Sequence, residues 1–219
     1  MIGAIIFDMD GLLIDSEPLW RDALVEVFNG VGVSITPEQF QATMGMTTPE
    51  VVAYWCAQYA SHSKSVEEII QEVDSTAHRF IAERGVAREG AYEILEFFKE
   101  KKLPLALASS STMHLIDIVV EKLAIRPYFQ VLHSAEFELY GKPHPAVNIS
   151  AAKKLGVGQH ACLVFEDSWN GVLAAKAGSM KCVCVPDENL KGDARLVIAD
   201  EVIPSLLKFD EVLWKKLNA

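Results

Sequence analysis

Four short apolar runs, three of them carrying β-branched residues, recur along this 219-residue chain at residues 3–7, 103–108, 161–165 and 181–185. Their length and near-continuous hydrophobicity are those of strands buried on both faces, the kind found in parallel sheets. A fifth run, at 129–133, is weaker. Segments with helical spacing lie between them. Ile94, Leu95, Phe97 and Phe98 mark one helix, Leu115, Ile116, Val119, Val120 and Leu123 a second, and residues 172–177 a third. Strands alternating with helices predict an α/β fold with a Rossmann-like, doubly wound parallel sheet.

Residues 16–88 break that alternation. They carry helical patterns at 19–28, 50–59 and 66–81 and no convincing strand. An all-helical insertion after the first strand fits, because that position lies at the carboxyl edge of the sheet, where ligands of open α/β sheets bind. The expected organisation is a core of residues 1–15 plus 89–219 and a helical domain of residues 16–88. The second crossing is expected near Gly85 to Gly90, where glycines flank a polar stretch.

The first strand ends in Phe7-Asp8-Met9-Asp10-Gly11. Burying one carboxylate at a strand end is costly, and two are costlier, unless a cation or a reaction needs them. The glycine permits a sharp turn. Three further groups follow later strands: Ser109, Ser110 and Ser111; Lys142 in Gly141-Lys142-Pro143-His144-Pro145; and Glu166-Asp167 ahead of Ser168-Trp169-Asn170-Gly171. In a parallel sheet these ends open on one edge, so hydroxyls, one cation and two pairs of acids converge on one crevice. Phosphoryl transfer uses such a set. A carboxylate can attack phosphorus, a hard divalent ion offsets anionic repulsion, and a second carboxylate can move the protons. Lysine and hydroxyl donors can hold the phosphoryl oxygens.

Composition narrows the partners. The net charge is −10 with no long Lys/Arg cluster, which argues against nucleic acid. No apolar run reaches the roughly 18–20 residues of a membrane span. Residues 1–7 lack a basic leader and lead straight into Asp8 and Asp10, so an export signal is not expected and the cytoplasm is. Cys56, Cys162, Cys182 and Cys184 form no C-x-x-C pair, and buried apolar thiols are expected.

Taken in order, the four groups resemble the four motifs of the haloacid dehalogenase superfamily, in its subfamily with a helical cap after the first strand. The resemblance covers nearly the whole chain and extends to sugar-phosphate phosphatases and β-phosphoglucomutase. It implies a Mg²⁺-dependent phosphomonoesterase acting on a small phosphorylated metabolite, a sugar or polyol phosphate, through an aspartyl-phosphate. By the same resemblance, Asp8 is the nucleophile and a metal ligand. Asp10 is the general acid/base and ligates the metal through its main-chain carbonyl. Ser109, Ser110 and Lys142 hold the phosphate, and Asp167 and Glu166 hold Mg²⁺, Glu166 either directly or through a neighbour. A monomer is expected.

Several readings stay open at this level. Ser109 can also cap the following helix, and Ser111 is equally a cap or a substrate contact. Glu17 and Trp20, at the entry to the cap, and Thr47, in a stretch resembling the cap's specificity loop, are candidate substrate contacts. Thr47 can equally cap the helix near Pro49. Sugar-phosphate relatives often place Arg where Thr47 and Thr48 stand, and mutases place His where Trp20 stands, which lowers the mutase reading. The alternatives are a β-phosphoglucomutase-like phosphomutase and a non-catalytic ligand-binding member of the fold.

Overall fold

The computed structural model describes residues 1–36, 39, 43, 46–59 and 63–219. Six parallel strands form one sheet in the order β3-β2-β1-β4-β5-β6. They are β1 (Ala4–Phe7), β2 (Leu105–Ser109), β3 (Val131–Ser134), β4 (Cys162–Glu166), β5 (Lys181–Cys184) and β6 (Glu201–Val202). The order reverses direction at β1, so the two strands flanking β1 leave a crevice at its carboxyl end. The weak fifth run is the edge strand β3. The two-residue β6 carries no sequence signal, because a strand that short has no period to read.

The chain divides into two compact units, residues 1–15 with 86–219, and residues 16–85. The second cut falls three residues before the one expected from sequence. Ala87 bridges Ile14, and the Arg88 N–H donates to the Leu13 carbonyl at 2.9 Å, which ties 86–88 to the sheet unit.

The helical unit contains α1 (Glu17–Gly30), α2 (Thr48–Gln58) and α3 (Val66–Arg84). A capping box starts α3: Ser65 Oγ accepts the Glu68 N–H at 3.2 Å, and the Ser65 N–H donates to Glu68 at 2.7 Å. Val27, Phe28, Val52, Trp55, Ile69 and Val73 form its core. Across α1 and α3, Arg79 pairs with Glu26 at 2.7 Å and Arg84 with Asp22 at 3.1 Å. Both pairs are exposed and add little beyond orientation.

In the sheet unit, α4 (Ala91–Glu100), α5 (Met113–Lys122), α6 (Ala146–Leu155), α7 (Trp169–Ala177) and α8 (Glu211–Asn218) accompany the strands. Every residue of β1, β2 and β4 is buried, as strands covered on both faces require. Phe7 stacks on Phe165 with centroids 5.0 Å apart, and Phe98 meets both edge-on, a rigid aromatic floor beneath the strand ends. The four cysteines are buried free thiols. No helix among the described residues is long and apolar enough to cross a membrane.

Candidate active site

The register of β1 places the site. Phe7 stands opposite Leu107 on one side and Phe165 on the other, so Asp8 emerges beside the ends of β2 and β4. The Asp8 N–H donates to the Phe165 carbonyl at 3.0 Å, which fixes the backbone. Asp8 is 7 % exposed, Glu166 is 0 % and Asp167 is 9 %. One oxygen from each of these three acids lies within 4.8 Å of the others.

Lys142 is the cation of this cluster. Its Nζ donates to Asp8 Oδ1 and to Glu166 Oε1, both at 2.5 Å. Burial works against the ammonium, but Asp8 and Glu166 override that and hold its pKa above the ordinary value. Burial pushes the Glu166 carboxyl up to about 7, with Lys142 opposing and Asp8 adding to the rise. Burial, then Asp8 and Glu166, push Asp167 well above the carboxylate range. Three buried carboxylates thus share one ammonium, and negative charge is in excess. An all-oxygen, acidic donor set of this kind fits a hard divalent cation.

Two glycines make the close packing possible. A Cβ on Gly171 would stand 1.9 Å from the Glu166 carboxyl group. A Cβ on Gly11 would stand 2.0 Å from Asp167 Oδ2, and Gly11 also has φ +73°. Gly11 closes the turn that carries Asp10. The Met9 carbonyl accepts from the amides of Leu12, Leu13 and Ile14, and the Gly11 N–H donates to Ile14 at 3.0 Å.

Asp10 lies in the same sheet unit, with Ser111 Oγ donating to its Oδ2 at 2.7 Å. The cap of α5 is Thr112, whose hydroxyl accepts the Leu115 N–H, so Ser111 is not the helix cap. Ser109 is buried, and its Oγ accepts the Ser111 N–H at 3.0 Å in a tight hydroxyl turn. Ser110 between them is exposed. Ser168 starts α7 by accepting the Gly171 N–H at 3.0 Å, and its hydroxyl also reaches Glu166 at 3.3 Å. His144 Nδ1 accepts the Ala146 N–H at 3.3 Å, a turn role.

Asp8, Asp10, Ser109, Ser110, Ser111, Lys142, Glu166 and Asp167 all belong to the sheet unit. Glu17, Trp20 and Thr47 belong to the helical unit. There Trp20 meets His78 edge-on at 6.2 Å, and Glu17 is exposed at the start of α1. Thr47 stands at the N-cap position of α2, where it donates to Glu50 through both its N–H (2.7 Å) and its hydroxyl (2.8 Å). Of the expected specificity stretch at 43–48, Met44 and Gly45 lie outside the described residues. Ser134 was not singled out by sequence. It is 0 % exposed, and its hydroxyl donates to the Ser111 carbonyl at 2.6 Å.

The chain belongs to the haloacid dehalogenase-like hydrolases, whose family model matches residues 5–185, and is an enzyme of that class. It is 39 % identical over 204 residues to hexitol phosphatase B of Escherichia coli, covering 93 % of this chain and 92 % of that one. It is 32 % identical over 211 residues to the phosphorylated carbohydrates phosphatase of Thermotoga maritima, covering 96 % of each. Among solved structures, a Thermotoga maritima protein provisionally named a β-phosphoglucomutase superposes with a TM-score of 0.85. That protein is 29 % identical, with 98 % of this chain and 99 % of that one covered.

Proposed function

We propose that this enzyme is a Mg²⁺-dependent phosphomonoesterase that hydrolyses a sugar or polyol phosphate through an aspartyl-phosphate on Asp8. The observation that carries the proposal is the Lys142 ammonium set 2.5 Å from both Asp8 and Glu166, with Asp167 completing a buried acidic triad. Such a cluster holds one carboxylate oriented for attack and leaves excess negative charge for a bound cation to neutralise.

In this mechanism Asp8 attacks phosphorus, and the bond from phosphorus to the ester oxygen breaks as Asp10 gives that oxygen its proton. Asp10, now a carboxylate, takes a proton from the water that attacks the aspartyl-phosphate. The bond between phosphorus and Asp8 then breaks, which restores Asp8 and releases inorganic phosphate. Ser109, Ser110 and Lys142 donate to the phosphoryl oxygens as charge develops on them, and Lys142 also restrains Asp8. Asp8, Glu166, Asp167 and the Asp10 carbonyl would hold Mg²⁺, which offsets repulsion between nucleophile and substrate. The helical unit, with Glu17, Trp20 and Thr47, is assigned to recognition of the substrate's organic part.

The sugar or polyol class is supported by the two phosphatases to which the chain is similar over nearly its whole length. A phosphomutase is the second reading, supported by the likeness to the provisionally named β-phosphoglucomutase. It differs in returning the phosphoryl group to a sugar hydroxyl instead of to water. Phosphate release from a panel of hexitol, sugar and nucleotide monophosphates, with Mg²⁺ and with EDTA, separates the readings. Metal-dependent release with the polyol and sugar phosphates ranked first is the expected outcome. Isomerised product without free phosphate identifies a mutase, and ligand-induced stabilisation without turnover identifies a binding protein.

A further inference from the structure

A carboxylate that must first give and then take a proton works only if it is held at one angle to the reacting oxygen. Asp10 is held by Ser111 Oγ at 2.7 Å. Ser111 itself lies on the short connection between the end of β2 at Ser109 and the start of α5 at Met113. Connections of this kind are the mobile parts of a sheet unit unless something ties them down.

The tie comes from the edge strand. Ser134, the last residue of β3, is the register partner of Ser109 and is 0 % exposed. Its one hydroxyl proton goes to the Ser111 carbonyl at 2.6 Å. A lone pair on the same oxygen accepts the Glu136 N–H at 3.0 Å, which fixes the direction of that proton. Glu136 in turn accepts the Met113 N–H at 3.2 Å. The segment 134–136 therefore grips the connection at its middle and at its far end.

We propose that Ser134 is a positioning residue for Asp10, acting through the backbone of Ser111. Ser134 fixes the Ser111 carbonyl, the fixed backbone aims the Ser111 hydroxyl, and that hydroxyl sets the orientation of the Asp10 carboxylate. The inference rests on the reading of Asp10 as proton donor and acceptor given above. Removing the Ser134 hydroxyl strands the Ser111 carbonyl without its partner and frees the connection to shift. Ser109 keeps its ladder position, so phosphate binding is retained while proton transfer suffers.

The test is a double-mutant cycle of Ser134→Ala and Ser111→Ala in full-length enzyme with Mg²⁺. It reads kcat, KM and Tm on the best substrate of the phosphate-release panel. Ser134→Ala is expected to lower kcat and kcat/KM together by roughly tenfold, as a small misplacement of a catalytic group does. In the Ser111→Ala background the same change should alter kcat by less than about twofold, since no hydroxyl remains to be aimed. The fall in Tm should be equal in both backgrounds, and Ser134→Thr, which keeps the hydroxyl, should restore kcat.

An equal kcat loss in both backgrounds, a rise in KM instead of a fall in kcat, or no loss at all overturns the proposal. If Ser134→Ala does not fold, Ser134→Cys, near in size and a weak donor, carries the same comparison. Wild-type enzyme that releases no phosphate from any substrate overturns the phosphatase reading, and this inference with it. A working wild type with an unimpaired Ser134→Ala overturns the inference alone.

Discussion

Gly171 lies inside α7, where alanine would ordinarily be the better residue by about 1 kcal/mol. Here the added methyl would stand 1.9 Å from both Cδ and Oε2 of Glu166. The contact can be relieved in two ways. Swinging the carboxylate aside breaks its 2.5 Å pairing with Lys142 in a fully buried place, at about 3–5 kcal/mol. Pushing α7 off the sheet costs about 1–3 kcal/mol, the usual range for an overfilled core. The chain takes the cheaper route. After the gain in helix propensity, Gly171→Ala should lose about 0–2 kcal/mol net. For a chain of this size that is a fall in Tm of up to roughly 8 °C. A shift of α7 also pulls on Ser168, whose hydroxyl donates to Glu166 and which follows Asp167 directly, so the variant should also need more Mg²⁺ for half-maximal phosphate release. Thermal unfolding in EDTA and a Mg²⁺ titration of activity read the two effects. A rise in Tm with unchanged Mg²⁺ dependence would refute the assignment of Gly171 as the space for Glu166.

Lys142→Met removes the cation shared by Asp8 and Glu166, and should destabilise the protein by about 3–5 kcal/mol in urea unfolding while abolishing turnover. Asp167→Asn relieves repulsion in a crowded acidic cluster, so it should raise Tm in EDTA yet lose Mg²⁺-dependent activity; a lower Tm would contradict that electrostatic picture. Thr47→Ala removes a hydroxyl from the start of α2 and should cost the helical unit about 0.5–2 kcal/mol, read by protease sensitivity at low denaturant.

Some of the site is legible in the sequence because burying charge is expensive. Asp8 directly after Ala4–Phe7 and Glu166-Asp167 at the end of β4 are acids where an apolar strand has just delivered the chain, so they stand out without coordinates. The alternation of strand and helix patterns likewise carries the parallel sheet, while its strand order is read only from the structure. Polar contacts between distant segments are not legible. Ser134 looks like any serine at a strand end, and its partner Ser111 is 23 residues away across the β2–β3 register. Ser111 reads from sequence as an equal candidate for capping and for substrate, and only the placement of Thr112 as the α5 cap removes the first choice.

The glycines teach the same lesson. Gly11 follows two aspartates and reads as a turn, but the carboxylate that forbids a side chain there belongs to Asp167, 156 positions on (167 − 11). Gly171 reads as a helix residue of poor propensity until Glu166 is seen against it. The glycine pair near 85–90 marks the crossing out of the helical unit, and the bridge between Ile14 and Ala87 sets where within that stretch it falls.

The central claim is that Asp8 carries the phosphoryl group between substrate and water. Rapid acid quench of enzyme turning over a labelled hexitol or sugar phosphate, followed by peptide mass spectrometry, tests it directly. The account predicts a phosphorylated peptide spanning residues 1–21 with the label on Asp8, chased by unlabelled substrate and absent in Asp8→Asn. Full-rate phosphate release with no labelled Asp8 peptide, or a label that persists in Asp8→Asn, would contradict it.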